Sequence, residues 1–231
     1  MELATAGREK SAAGGAAAGM AMTRALLVGG VIAGPFYIVV GAIQILIRPG
    51  FDMRVNALSQ MSLGALGWIQ VTNFVVGGLL VLGSAAGMRR LLQATGGGPW
   101  GPILVAIYGL GLIAASVFSA DPGFGFPPGT PSGPPHTLST HGILHFASAG
   151  IGFLALIAAC LVFARRFSRR GQRGMASYSL FTGIVFLATF AATASGQIVF
   201  LPGLWVGIFL AWVWLSVLSA QLLSTAASVE V

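Results

Sequence analysis

The residues best equipped for chemistry lie close together. All three histidines of the 231-residue chain, His136, His141 and His145, fall in one short stretch. On a helix, His141 and His145 are one turn apart and share a face. Two imidazoles so placed can hold Zn²⁺ if a third ligand comes from elsewhere. Asp121 opens the loop that leads to them and is the natural third, with His136 or Asp52 as a fourth. A metal held there would activate water for hydrolysis, assisted by Asp52 or Ser59 as catalytic groups. The same histidines also suit a structural role, bonding to a proline-rich loop, capping a helix or titrating at an interface. No HExxH is present. Cys160 is the only cysteine, so an intrachain disulfide and a cysteine-based metal centre are both excluded.

A second polar group precedes Trp68 and Gln70. It contains Asp52, Arg54, Asn56, Ser59, Gln60 and Ser62. These side chains suit one wall of a pocket shared with the histidines, or an Asp52–Arg54 ion pair with turn and cap hydrogen bonds.

What must position these groups follows from composition. Hydrophobic residues make up 56% of the chain and charged ones 7%, against about 25% charged in an ordinary soluble domain. With a mean hydropathy of +0.89, most of the chain belongs in lipid. Six apolar runs approach the roughly 20 residues needed to span a bilayer: Ala25 to Ile47, Ile69 to Met88, Ile103 to Ala120, Gly142 to Ala164, Tyr178 to Ser195 and Gly203 to Leu223. Backbone polar groups in lipid must pair internally, so the expected fold is all-α, a polytopic bundle of six transmembrane helices. Residues 1–24 read as a disordered cytoplasmic tail, 25–223 as the membrane domain, and 224–231 as a short cytoplasmic tail.

The net charge of +7 reflects topology and not a nucleic-acid partner. Arg8, Lys10, Arg24, Arg89, Arg90, Arg165, Arg166, Arg169, Arg170 and Arg173 fall on one side of the expected bundle, whereas Arg48 and Arg54 fall on the other. The positive-inside rule then puts both termini in the cytoplasm and the histidines outside, with the cell (inner or plasma) membrane as the location. Trp68, Trp100 and Trp205 sit at span ends, as interfacial aromatics do, while Trp212 and Trp214 lie deeper.

Two outer connections are long. The second, Asp121 to His141, carries six prolines and four glycines and is expected to be irregular. Each outer connection contains Pro-Gly before a bulky residue: Pro49-Gly50-Phe51, Pro122-Gly123-Phe124 and Pro202-Gly203-Leu204-Trp205. This is either a trace of three related hairpins or a recurring turn dipeptide. Gly30 with Gly34 and Gly83 with Gly87 have helix-packing spacing, for contacts within the chain or along a homodimer seam. Gln44, Asn73, Ser84, Thr189 and Thr193 are the principal polar groups inside the spans and suit interhelical hydrogen bonds. No acidic or basic group lies inside a span, which disfavours an ion-coupled transporter.

The run GGVIAGPFYIVVGAIQILIRPGFDMRVNALSQMSLGALGWIQVTNFVVGGLL, a DP-containing Gly/Pro loop, HGILHFASA and FARRF together resemble the multi-pass prokaryotic membrane family known as domain of unknown function 998. The distinctive pieces are the RPGFD turn, S-x-x-S-L-G-x-x-G-W, Asp121-Pro122 and the His141/His145 pair. The resemblance implies a six-helix membrane domain and no established activity. Similar sequences often carry an acid after the second histidine, where this chain has Phe146.

Three functions are in competition: a non-catalytic accessory or lipid- and partner-binding membrane protein, a zinc-dependent hydrolase of lipid-like or small amide or ester substrates, and a transporter of a neutral solute. The partners expected are the lipid bilayer and other membrane subunits or a second copy of the chain. Topology is open to direct measurement. Reporter fusions after Arg90 and after Arg170 should report cytoplasm, and a fusion near Gly129 should report the outside; a cytoplasmic signal at Gly129 would invert the orientation.

Overall fold

In the computed structural model, residues 2–135 and 137–228 are described, without the side chains of residues 2–13 and 16. Six helices carry the chain: α1 (Glu2–Ile47), α2 (Gly67–Ala94), α3 (Trp100–Val117), α4 (Thr140–Arg169), α5 (Arg173–Ala194) and α6 (Leu201–Ser228). All six contain a stretch long and apolar enough to cross a membrane, and the described residues include no strand. Each expected span falls within one helix or overruns its end by one to three residues. The helices extend beyond the spans mainly at the basic end, where their last turns emerge from the apolar zone.

Two boundaries differ from expectation. Residues 1–24 were expected to be disordered, yet α1 is helical from Glu2, and its membrane-spanning part begins at Ala17. The segment is rich in alanine, the strongest helix former, and continues directly into a helix that lipid enforces. At the other end α6 runs to Ser228, five residues into the expected tail of 224–231.

Each helix packs on the next in sequence, and α6 returns to pack on α1, closing the ring. Close approach at that closure depends on glycine. A Cβ at Gly34 would lie 2.6 Å from the Trp212 carbonyl oxygen, and one at Gly30 would collide with Ser219 Oγ of α6. Gly83 and Gly87 likewise face Leu26, and Gly87 also Leu27, on α1. Both glycine pairs therefore serve packing within the chain.

Trp212 and Trp214 are fully buried and centre the bundle. Trp212 stacks on Tyr37 at 4.2 Å and meets Tyr108 edge-on at 5.6 Å. Trp214 Nε1 donates to Ser179 Oγ at 2.9 Å, tying α6 to α5. Other buried polar groups join helices as expected: Gln44 donates to Gln70 Oε1 (2.7 Å), Asn73 to the Tyr37 carbonyl (3.3 Å), and Ser84 pairs with Ser219 (3.1 Å). Such bonds contribute about 0.6 kcal/mol each on average. Thr189 bonds only to carbonyls of its own helix, and Thr193 adds a bond to Phe200 O beyond it.

The up-and-down course puts the 48–66, 118–139 and 195–200 connections at one end and the arginine-rich connections at the other. Arg48 organises the first of these ends. The residue is 7% exposed, and its guanidinium donates to the Met61 carbonyl at 2.9 Å and to the Leu63 carbonyl and lies 5.1 Å from the centroid of the Phe126 ring. Burial lowers its basicity. Asn56 and Gln60 add bonds to the Gly123 and Phe124 carbonyls. Phe51 packs edge-on against both Phe126 and Trp205, so the three Pro-Gly segments converge near it. They do not share one local structure: Gly50 has a φ of +78°, whereas Pro202 and Gly203 lie in the first turn of α6.

Replacing Arg48 by Met should leave the Met61 and Leu63 carbonyls unpaired, at about 1–3 kcal/mol for each buried group. The expected result is a lower unfolding temperature in detergent and faster proteolysis within 121–139. Arg48→Lys should recover only part of this, because an ammonium lacks the planar fork that serves two acceptors at once.

Candidate functional site

The α3–α4 junction explains most of the polar residues singled out above. Asp121 follows the end of α3, and its Oδ2 accepts a hydrogen bond from the Ser139 backbone N–H at 2.9 Å. Ser139 is the N-cap of α4, and its hydroxyl accepts from Gly142 N at 3.0 Å. A Cβ at residue 142 would lie 2.0 Å from Asp121 Oδ2, so only glycine admits the carboxylate there. An anion at a helix N-terminus meets unpaired N–H groups and the favourable end of the helix dipole. Asp121 therefore closes the 121–139 loop onto α4.

His145 lies one turn further along α4 and is 2% exposed. Its Nδ1 is 2.8 Å from the carbonyl oxygen of Phe118, the residue that ends α3. A carbonyl only accepts, so Nδ1 carries the proton and Nε2 keeps its lone pair in the neutral ring. His141 is exposed and meets the Phe118 ring edge-on at 5.8 Å.

Asp52 lies on the connection between α1 and α2. Its carboxylate accepts from Arg54 N at 2.9 Å and from Arg54 Nε and Nη2 at 3.0 and 2.7 Å. The Arg54 guanidinium holds the Asp52 carboxyl at about 2, below its ordinary value. The ion-pair alternative for Asp52 and Arg54 is thus what the loop contains.

Among the described residues, no three His, Cys, Asp or Glu side chains come together to hold a metal ion. His136 lies outside the described residues. Asp121 Oδ2 and His145 Nδ1, two of the expected donors, are engaged with backbone groups, and Asp52 is engaged with Arg54.

The structure does bring His145 and Ser59 to one place. Both line an apolar cavity of about 350 Å³ under the 48–66 and 118–139 connections. Its walls include Tyr108, Gly111 and Ala115 of α3, Phe153 of α4 and Phe190 of α5, with Leu58 and Ser59 as a roof from the 3₁₀ turn Leu58–Ser62. Phe153 and Phe190 meet edge-on at 5.6 Å, and exposed Phe146 and Ala194 form a rim between α4 and α5. Among the described residues no Asp or Glu lines it.

Of the polar lining groups, Ser148 donates to the His145 carbonyl and Thr193 to carbonyls of Thr189 and Phe200. His145 Nε2 and the Ser59 hydroxyl take no hydrogen bond among the described residues. A second apolar cleft, of about 420 Å³, lies between α1 and α6 and shares Tyr37, Leu58 and Ile208 with the first. The aromatic and small lining residues are absent from the expected site. The signal in the sequence is the pairing of small residues one turn apart, Gly111 with Ala115 and Ser148 with Gly152, on helices that turn out to be neighbours.

No curated protein and no solved structure matches the chain. One family model does, over residues 31–226, and its description is "Protein of unknown function (DUF998)". That match covers most of the helical bundle described above, including the 48–66 and 118–139 connections, Arg48, Asp121 and both described histidines, and the chain belongs to the DUF998 family.

Proposed function

We propose that this protein is a non-catalytic membrane protein that binds a lipid or another apolar molecule in the cavity beneath its outer loops. The observation that carries this reading is the cavity itself. Its volume of about 350 Å³ falls in the range of about 300–1,000 Å³ usual for ligand sites. Its lining is apolar except for a few groups: Ser59, His145, Ser148 and Thr193, with the tyrosines Tyr37 and Tyr108. The rim between α4 and α5 faces the side of the bundle that lipid would cover, so an acyl chain would enter without crossing water.

The same reading places both termini in the cytoplasm of a cell membrane and the cavity toward the outer leaflet. Its support is the cation distribution: Arg89, Arg90, Arg165, Arg166, Arg169, Arg170 and Arg173 share one end, with Arg48 and Arg54 at the other. The hydrolase reading has weaker support, since the cavity wall offers Ser59 and His145 but no carboxylate. Asp52 and Asp121 are engaged elsewhere.

Ala149 lines the cavity, and Ala149→Trp should fill it. Protein purified in mild detergent should retain a lipid detectable by native mass spectrometry, and the filled variant should lose it. A fluorescent alkyl probe should bind the variant about tenfold more weakly or worse, a loss of about 1.4 kcal/mol. Wild-type protein that retains no lipid and binds no probe would end this reading.

A further inference from the structure

The geometry points to a ligand with a hydroxyl group, whose proton is accepted by His145 Nε2 while its oxygen accepts from Ser59. This inference rests on the cavity-binding reading and adds the chemical class of what is bound.

The argument begins at the Phe118 carbonyl. Because it sits 2.8 Å from Nδ1, it fixes the proton on that nitrogen and leaves Nε2 as an acceptor. A doubly protonated ring is disfavoured, since His145 is 2% exposed and no carboxylate lines the cavity to balance a buried cation. Asp121 is bound to the N-terminus of α4 through Ser139 N. Among the lining groups, beside Tyr37 and Tyr108, the cavity thus offers an acceptor on α4 and the Ser59 hydroxyl, which can donate, in its roof. Both are without a partner among the described residues.

Few single groups satisfy an acceptor and a donor together. An ether, an ester or a ketone only accepts and would leave Nε2 facing another lone pair. A carboxylate has the same fault and adds an uncompensated charge. An alcohol gives its proton to Nε2 and receives one from Ser59, and it enters a low-dielectric site uncharged. With apolar walls for the remainder, the fitting class is a long-chain alcohol: an aliphatic or isoprenoid chain, or a glyceride, ending in a free hydroxyl.

The test is competition against the fluorescent alkyl probe on protein in nanodiscs, with 1-dodecanol, dodecyl methyl ether and dodecanoate as competitors. Dodecanol should compete at least about tenfold better than the ether, roughly the worth of one hydrogen bond to a buried site, and dodecanoate should compete worst. His145→Leu should erase the preference while probe binding persists, and Ser59→Ala should reduce it. Nitrogen-15 NMR of histidine-labelled wild-type protein should show the proton on Nδ1, with the Nε2 resonance moving on addition of dodecanol. This readout stands even if His145→Leu does not fold. Equal competition by alcohol and ether, or a proton found on Nε2, overturns the inference while leaving the cavity reading intact. A probe that fails to bind wild-type protein, or that binds Ala149→Trp equally well, removes the cavity reading and this inference with it.

Discussion

A buried guanidinium with no carboxylate among its described partners sets the arrangement of the end that holds the 48–66 and 118–139 connections. Arg48 follows directly on α1, where the chain leaves the apolar zone, and its charge is met by the Met61 and Leu63 carbonyls and the face of Phe126. Carbonyl oxygens can balance a cation only if several converge, so the 3₁₀ turn and the loop after it must fold back over the end of α1. That fold-back puts Leu58 and Ser59 above the cavity. It also brings Asn56 and Gln60 against the Gly123 and Phe124 carbonyls. The cavity roof and the placement of the second loop therefore both follow from how one cation is solvated.

The second loop is held at its other end by Asp121. Its carboxylate does for the start of α4 what His145 does for the end of α3, since each satisfies a backbone group that a helix terminus leaves unpaired. This explains why residues with the look of a metal site are found together. They gather because two helix ends meet there, and each end needs a side chain of the opposite hydrogen-bonding sense. His145 differs from the others in having a second ring nitrogen, which this structural duty leaves unused. A group that is fixed in position and tautomer by one bond and open at the other is preorganised for recognition.

At the opposite end the arginines tie helix ends together. Arg24 donates to the Ala226 carbonyl, and Arg170 to the Thr95 carbonyl. Cations near the last carbonyls of α2 and α6 complement the negative ends of those helices. The charge that would set topology during insertion thus also stabilises the helix termini once the bundle has formed.

Six helices, their approximate limits and the partition of cations between two ends were legible in the residues, because lipid imposes a length and a polarity on any spanning segment regardless of its neighbours. The intrachain role of Gly30 and Gly34 was one of two readings their spacing allowed, and only the ring closure of α6 on α1 decides it. The fate of Asp121, Asp52 and the two described histidines lay wholly in the tertiary structure. A carboxylate in a sequence has the same chemistry whether it caps a helix, pairs with an arginine or binds a metal, and the choice rests on which donors come within about 3 Å. The cavity was invisible for a related reason. It is a space between Phe153, Phe190 and small residues of α3 and α4, and empty volume belongs to the packing of helices, not to the identity of any residue.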